Sequence, residues 1–254
     1  VKSKQEANST IGDKANDGLR VNGGEMMVRI IGEGGNLGMT QKGRMEYNAA
    51  GGLLNTDFID NSAGVDCSDH EVNIKLAFAD QLKSGKLTFN KRNRLLENMI
   101  NDVEDLVLHD NRLQNTIITI EEKRGMKRII DHAWLIKLLE GKGDLNRELE
   151  FLPTDQEIAA MRAKNEKKGL TRPSISLLLS HSKNYIYKHA SEVDFSDTVL
   201  YKPLLYSYFP ELLQSKHSKL IENHKLANEI VTTILTNQIV NMAGVCYYHQ
   251  IMSE

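Results

Sequence analysis

The uneven placement of glycine and proline is the feature that most constrains how this chain can fold. Of the 18 glycines, 13 lie within the first 85 residues, whereas all four prolines lie after residue 150. Glycine-dense turns between short apolar runs are typical of α/β structure, in which the backbone turns sharply or approaches a ligand closely. The rest of the chain has the apolar spacing of helices. We therefore predict a mainly α protein with a small α/β part.

Two short strands are predicted in the glycine-dense part. Residues 26–31 form a short run with β-branched residues that ends at glycines, and residues 51–58 are a weaker second candidate. Residues 13–19 could form a helix between strands. Residues 65–83 have helical spacing, and Gly85 would end that helix.

Helices dominate after residue 90. Thr154 and Glu157 have the spacing of a capping box, and Pro173 suits the first turn of a helix that begins near Arg172. We interpret the apolar stripes of these helices as core faces rather than cofactor sites. Helices are predicted at about residues 95–107, 129–139, 154 onward, 171 onward, 207–217 and 220–248.

Composition excludes several classes of partner. The 32 basic and 34 acidic residues give a formal net charge of -2, so we expect no nucleic-acid partner. No apolar run approaches the roughly 18 residues of a membrane span, so we expect no membrane partner.

Cys67 and Cys246 lack the spacing of a metal site, which favours a reducing, cytoplasmic location. No secretion signal is recognised. Because the chain opens at Val1 rather than at a methionine, we expect it to be cut from a longer protein.

The glycine-rich segment at residues 32–38 follows the first predicted strand. In a parallel α/β sheet, ligands bind beyond the carboxyl ends of the strands. Gly34 and Gly35 would let backbone amides approach a ribose or nicotinamide, and Asn36 offers both a donor and an acceptor. The alternative interpretation is a simple tight turn.

Residues 55–65 and 66–73 form the second group of polar segments. Ser68 and Glu71 have the spacing of a capping box, so a helix is predicted to begin there. Free backbone amides and the helix dipole at such a start attract a carboxylate. Ser68 could then donate its hydroxyl to a substrate carboxylate.

Two sharper hypotheses for residues 66–73 are less favoured. Asp66, Asp69, His70 and Glu71 could be metal ligands, but only Asp66 and His70 share a helix face, and a metal site needs about three or four converging ligands. We therefore predict no metal. Cys67 near His70 could be a thiol nucleophile, but such chemistry also needs an orienting third group, and an inert buried cysteine is favoured.

Several segments together resemble the large NAD-specific glutamate dehydrogenases of bacteria. The resemblance covers nearly the whole chain, and residues 60–73 are its most specific part. Its motifs are GDKANDGLRVNG (12–23), GEGGNLGMTQ (32–41), DNSAGVDCSDHEVN (60–73), LEFLPTD (149–155), GLTRP (169–173) and YFP (208–210). The VNMAG phrase (240–244) departs from the family's usual pattern.

The resemblance implies a fold and a set of domains. Residues 1–88 would be the end of the NAD-binding catalytic domain, with about two strands of a Rossmann-type parallel sheet. Residues 89–254 would be an all-helical carboxy-terminal domain. The catalytic lysine and aspartate and the phosphate-binding turn would lie upstream, so no catalytic residue is predicted in this chain, and the piece alone is expected to be inactive.

The resemblance also implies site residues. Residues 33–36 are similar to a Glu-Gly-Ala-Asn turn of the smaller relatives, and residues 61–65 are similar to their Asn-Ala-Gly-Gly-Val segment. The implied cofactor-binding residues are Gly34, Gly35, Asn36 and Asn61. The implied substrate-binding residues are Val65 and Ser68.

The implied activity is the oxidative deamination of L-glutamate to 2-oxoglutarate and ammonia with NAD, by a parent enzyme expected to be a homo-oligomer. Two alternatives stay open. The helical part could be a non-catalytic module for oligomer contacts or regulation, or Cys67 could serve a cysteine-dependent hydrolase.

Overall fold

The structure, a computed structural model, describes residues 1–35, 37–164 and 167–251. These residues are mainly helical, as predicted. The α-helices are α1 (Asn8–Ile11), α2 (Gln41–Ala49), α3 (Asp57–Asp60), α4 (Ser62–Ala77), α5 (Ala79–Lys83), α6 (Phe89–Asn98), α7 (Ile100–Arg124), α8 (Ile129–Gly141), α9 (Asp155–Ala163), α10 (Arg172–Ala190), α11 (Tyr201–Ser207), α12 (Glu211–Lys216), α13 (Ser218–Glu222), α14 (Ala227–Ala243) and α15 (Tyr247–Ile251). Short 3-10 helices lie at Lys14–Leu19, Gly23–Glu25 and Gly125–Arg128.

The predicted remnant of a parallel sheet is not formed by the described residues. Instead, Ile30 and Leu53 make one isolated parallel bridge. The Ile31 amide donates to the Leu53 carbonyl, and the Leu53 amide donates to the Arg29 carbonyl, both at 3.0 Å. Two strands without further neighbours are only marginally stable. The described residues therefore do not show the predicted sheet, and residues 57 and 58, the end of the second predicted strand, lie in α3.

Local signals placed several helix ends correctly. Thr154 and Glu157 form the predicted capping box at the start of α9. Helix α10 begins at Arg172, with Pro173 in its first turn. Gly85 has a φ of +71°, a left-handed conformation that ends the helical stretch before it. No described helix combines the length and apolarity needed to cross a bilayer.

The chain divides into two compact units. Unit 1 comprises Val1–Asn61, Gln114–Tyr185 and the residues from Val240 onward. Unit 2 comprises Ser62–Leu113 and Ile186–Ile239. The domain boundary predicted between residues 88 and 89 concerns evolutionary domains and stays a prediction.

Unit 2 has an apolar core formed by its helices. Helix α4 contributes Ile74 to this core, and α14 contributes Ile230 and Val231. Burial of such side chains is the main stabilising term in folding. The core also includes Phe78, Met99, Leu204, Leu205, Tyr208, Phe209, Leu213 and Ile221.

Tyr47 anchors the glycine-rich part of unit 1. Its side chain is 2% exposed and packs with Met39 and Leu54. Its hydroxyl donates to the Val28 carbonyl at 2.8 Å. Helix α2, which carries Tyr47, begins at the Thr40 cap, whose side chain accepts from the Gly43 amide. Tyr47 thus fixes the segment that leads into residues 32–38.

Gly125 and Gly169 let two backbone segments of unit 1 touch. A Cβ added at Gly169 would lie 2.7 Å from the Gly125 carbonyl oxygen, and one at Gly125 would lie 2.5 Å from the Lys167 carbonyl oxygen. This close approach brings the start of α10 beside the end of α7. Both contacts are with backbone atoms, which cannot move aside as a flexible side chain would.

We expect Gly169→Ala to lower the free energy of unfolding by about 1–3 kcal/mol, the usual range for overpacking. Gly141→Ala is the matched control, because a Cβ there meets no atom within 4 Å and its position at the end of α8 favours alanine. Urea unfolding of both variants is the measurement. Equal stability of the two variants would contradict the close approach.

Candidate functional site

The glycine-rich loop at residues 32–38 is organised around the buried carboxylate of Glu33. Arg44, on α2, donates from Nε to Glu33 Oε2 at 2.6 Å and from Nη2 to Glu33 Oε1 at 3.0 Å. Glu33 Oε1 also accepts from the Met39 amide at 3.1 Å. The Glu33 and Arg44 side chains are only 4% and 6% exposed. A bidentate pair of this kind fixes orientation as well as charge.

The second predicted loop, residues 55–61, lies directly beside the first. Asp60 Oδ2 accepts from the Glu33 amide, and Asp57 Oδ2 accepts from the Leu37 amide, both at 3.1 Å. Arg44 Nη2 also lies 3.3 Å from Asp57 Oδ1. The structure therefore brings the two segments together, and we refer to residues 32–38 and 55–61 as the loop pair.

The charges of the loop pair are close together and largely buried. Desolvation alone would lower the pKa of Arg44. Its hydrogen bonds and charge interactions with Glu33, and the charges of Asp57 and Asp60, outweigh that effect and raise the pKa above its usual value. Three carboxylates thus surround one guanidinium. The loop pair is consequently unsuited to a diphosphate and suited to a cationic or neutral group.

Two exposed positions of the glycine-rich loop hold glycine although their surroundings in the structure do not require it. Gly34 and Gly35 are exposed and have no positive φ, and a Cβ added at either would meet no atom within 4 Å. Neither backbone conformation nor packing within the described residues therefore demands glycine. The space that the missing side chains leave would admit a ligand close to the backbone. Asn36, the predicted cofactor contact, lies outside the described residues.

The helix start predicted at Ser68 is wrong. Helix α4 begins at Ser62, so the Ser68 amide lies inside the helix rather than at a free terminus. The Ser68 hydroxyl donates to the Val65 carbonyl at 2.6 Å, a bond within the helix. The argument from a helix end for an anion site at Ser68 therefore fails. Val65 and Ser68 are both exposed, and their roles stay predictions.

Asn61 ends α3 and immediately precedes α4. Its amide donates to the Asp57 carbonyl at 2.7 Å, which ties its backbone to the loop pair. The residue is half-buried. The structure therefore holds one of the predicted cofactor residues at the end of the second loop, and its contact with a cofactor stays a prediction.

His70 is part of the core of unit 2. Its ring stacks on Tyr208 with 4.2 Å between centroids, and burial lowers its pKa to about 4. Asp66 Oδ1 lies 3.8 Å from His70 Nε2. Among the residues that the structure describes, no group of three or more metal-ligating side chains converges. The expectation of a buried cysteine is wrong, because Cys67 is exposed. His70 is buried, so the arrangement gives no support to a thiol nucleophile either.

Sequence reasoning missed the ionic residues that hold the loop pair. Arg44 lies 11 residues after Glu33 and was not singled out. One signal was available: an acidic residue inside a turn needs a cation or amide donors wherever the turn is buried. No spacing rule, however, links such a residue to a partner on another helix.

Two family models match the chain. The catalytic domain of bacterial NAD-glutamate dehydrogenases matches residues 1–121, and the carboxy-terminal region of glutamate dehydrogenases matches residues 167–254. The loop pair lies within the first match, and α10 begins within the second.

Three curated relatives are similar over essentially the whole chain. The NAD-specific glutamate dehydrogenase of Pseudomonas aeruginosa is 41% identical over 251 residues, which is 99% of this chain and 15% of that protein. Those of Mycobacterium tuberculosis and Halomonas elongata are each 40% identical over 254 residues, which is 100% of this chain and 16% of each protein. The chain thus spans less than a fifth of the length of these relatives.

Proposed function

The chain belongs to the family of bacterial NAD-glutamate dehydrogenases, and on this premise we propose that it serves the NAD-dependent oxidative deamination of L-glutamate to 2-oxoglutarate and ammonia. The names of the similar proteins support this proposal. Because the chain spans about 15% of the first of them, the activity is proposed for the longer protein. We assign no catalytic residue to the chain itself.

Within this proposal, Gly34, Gly35, Asn36 and Asn61 bind the nicotinamide side of NAD. The observation that carries the proposal is the loop pair, whose two segments are tied together by Asp57 and Asp60. The open space at the two glycines and the excess of carboxylates suit the cationic nicotinamide ring rather than the diphosphate. When bound, NAD accepts a hydride from the substrate Cα.

Val65 and Ser68 are proposed to bind glutamate. Both side chains are exposed on neighbouring turns of α4, so a ligand can reach them without disturbing the core. The Ser68 hydroxyl can rotate from the Val65 carbonyl towards a carboxylate, because a hydroxyl donor is free to turn. Val65 offers apolar surface to the substrate's side-chain methylenes.

We expect Ser68→Ala in the full-length enzyme to lower kcat/KM for glutamate. Loss of one charge-assisted hydrogen bond removes about 1.5–3 kcal/mol, which corresponds to roughly 10- to 150-fold. Steady-state kinetics with NAD and glutamate measure the effect. Folding should be unaffected, because the Ser68 side chain is exposed and its hydroxyl bonds the Val65 carbonyl within its own helix.

Cys67→Ala is the matched control, since Cys67 is the exposed neighbour of Ser68 and has no role in the proposed glutamate site. Its kcat/KM should stay within about 2-fold of the wild type, because exposed substitutions away from a site have small effects. Equal kinetics of the two variants would contradict the role of Ser68. Loss of activity only in Cys67→Ala would instead favour a cysteine-dependent chemistry.

The sheet expected from the resemblance is proposed for the longer protein. In the bridge between Ile30 and Leu53, the amide and carbonyl of Ile30 face away from Leu53. Ile30 and Met27 are 71% and 99% exposed. A neighbouring strand from another part of the longer protein would complete a Rossmann-type parallel sheet at this edge. Residues 1–88 would then belong to its NAD-binding domain.

A non-catalytic role for the helices in residues 89–254 is a second proposal, which can hold in the same polypeptide. Its supporting observation is an apolar hollow of about 470 Å³ in unit 2, bounded partly by Leu96, Ile100 and Val103. We propose that these helices contribute to homo-oligomer contacts in a cytoplasmic enzyme. Sedimentation of the full-length protein as a monomer at high concentration would contradict this role.

A further inference from the structure

Arg172, the first residue of α10, has a buried guanidinium that gathers several segments of unit 1. The residue is 8% exposed. Its Nε donates to Asn55 Oδ1 at 2.8 Å. Its Nη1 donates to Thr119 Oγ1 at 2.9 Å and Glu122 Oε2 at 3.2 Å. Its Nη2 donates to both oxygens of Asn115 at 3.4 Å. One side chain thus joins α10, α7 and the loop that begins at Asn55.

Asn55 connects Arg172 to the loop pair through hydrogen bonds of its side chain. The Asn55 side chain accepts from Arg172 and donates from Nδ2 to Asp60 Oδ1 at 2.6 Å. The other oxygen of Asp60 accepts from the Glu33 amide at 3.1 Å. Arg172 is therefore connected to the glycine-rich loop by three consecutive hydrogen bonds.

The geometry of this connection requires an arginine. A guanidinium presents several donors in a fixed plane, so Nε can hold Asn55 while the two Nη atoms hold α7. A lysine ammonium is a point charge on a flexible stem and cannot serve both directions. The contact between Gly125 and Gly169 holds the start of α10 against the end of α7, where the guanidinium reaches these acceptors.

We propose that Arg172 is a positioning residue for cofactor binding: through Asn55 and Asp60 it holds the loop pair in the geometry that binds the nicotinamide side of NAD. This inference rests on the function proposed for the loop pair. It assigns a task in the NAD site to a residue of the carboxy-terminal helical region, which supplies neither predicted cofactor loop.

The decisive experiment is Arg172→Lys in the full-length enzyme. We expect the KM for NAD to rise roughly 10- to 100-fold, because misplacement of a binding group by about 1 Å can have effects of that size. A merely structural role would reduce the active fraction, which lowers apparent kcat and leaves the KM for NAD unchanged. We also expect faster amide hydrogen exchange in residues 32–38 and 55–61 than in the wild type.

Asn55→Asp tests the same connection with the arginine retained. The new carboxylate can still accept from Arg172, so the buried charge keeps a partner, but it faces Asp60 Oδ1 at the 2.6 Å position and cannot donate to it. We expect the same rise in the KM for NAD as in Arg172→Lys. Arg147→Lys is the control: the Arg147 side chain is 11% exposed and pairs with Glu140 and Asp155 rather than with the loop pair, so both KM and exchange should match the wild type.

An unchanged KM for NAD and unchanged exchange of the loop pair in both variants would overturn the proposal. A folded Asn55→Asp variant with wild-type KM would also overturn it, even if Arg172→Lys failed to fold. If the proposed function itself were wrong, the wild-type enzyme would not oxidise glutamate with NAD, a result that is distinguishable from an unchanged KM in the variants. In that case the hydrogen exchange of the loop pair still decides whether Arg172 positions it.

Discussion

Replacing Arg44 with methionine is expected to lower the free energy of unfolding by about 3–5 kcal/mol, the range for removing one partner of a buried ion pair. Arg44 is the cation that Glu33 contacts in a bidentate arrangement, and both side chains are at least nine-tenths buried. Without Arg44, the Glu33 carboxylate would be buried without a counter-charge, and Asp57 would lose its ion pair. Urea unfolding of the 254-residue chain measures the change.

Lys225→Met is the matched control for the loss of a cation. Lys225 pairs with Asp80 at 3.3 Å, but the two side chains are 65% and 77% exposed. Exposed ion pairs contribute about 0–1 kcal/mol, so this variant should lie close to the wild type. The double variant Arg44→Met with Glu33→Leu should recover part of the loss, because it removes the buried Glu33 charge as well and leaves only the less buried Asp57 without its ion pair. If Arg44→Met destabilised the chain no more than Lys225→Met, the buried pair would not be what holds the loop pair.

The sequence alone predicted those features of the fold that depend on residues close to one another in the chain. The capping box at Thr154 and the left-handed Gly85 depend on residues within one turn of the chain, and both are confirmed. The predicted strands do not form in the described residues because strand formation depends on neighbours, and these two segments make a single bridge, between Ile30 and Leu53. The start of α4 was misplaced because the Ser68–Glu71 spacing of a capping box also occurs inside helices.

The candidate site could be predicted only in part, for a related reason. The sequence identifies both the glycine-rich loop at residues 32–38 and the polar loop at residues 55–61, and the structure places them side by side. The residues that hold them there are Arg44 and Arg172. Arg172 reaches Asn55 across 117 residues of sequence. Contacts at that separation depend on the packing of α10 against α7, which no local pattern contains.

The second large expected effect is a loss of folding stability at acidic pH that depends on His70. Burial lowers the pKa of His70 to about 4 in the folded chain, from an ordinary value of 6.5. Between these values the unfolded chain binds the proton more readily, so protonation favours unfolding. The stability that His70 contributes is therefore complete above pH 6.5 and is lost as the pH falls towards 4. The shift corresponds to about 3 kcal/mol, as an order of magnitude.

We expect His70→Phe to remove this part of the acid sensitivity. The phenyl ring can keep the stacking on Tyr208 but has no group that titrates. Urea unfolding at pH 7 and pH 4.5 should show a larger loss of stability in the wild type than in the variant. Carboxylates whose pKa is lowered, such as Glu121, destabilise both proteins at still lower pH and cancel in the comparison. Equal losses in the two proteins would mean that His70 is not held neutral in the core, and a ligand or catalytic role for its imidazole would then regain support.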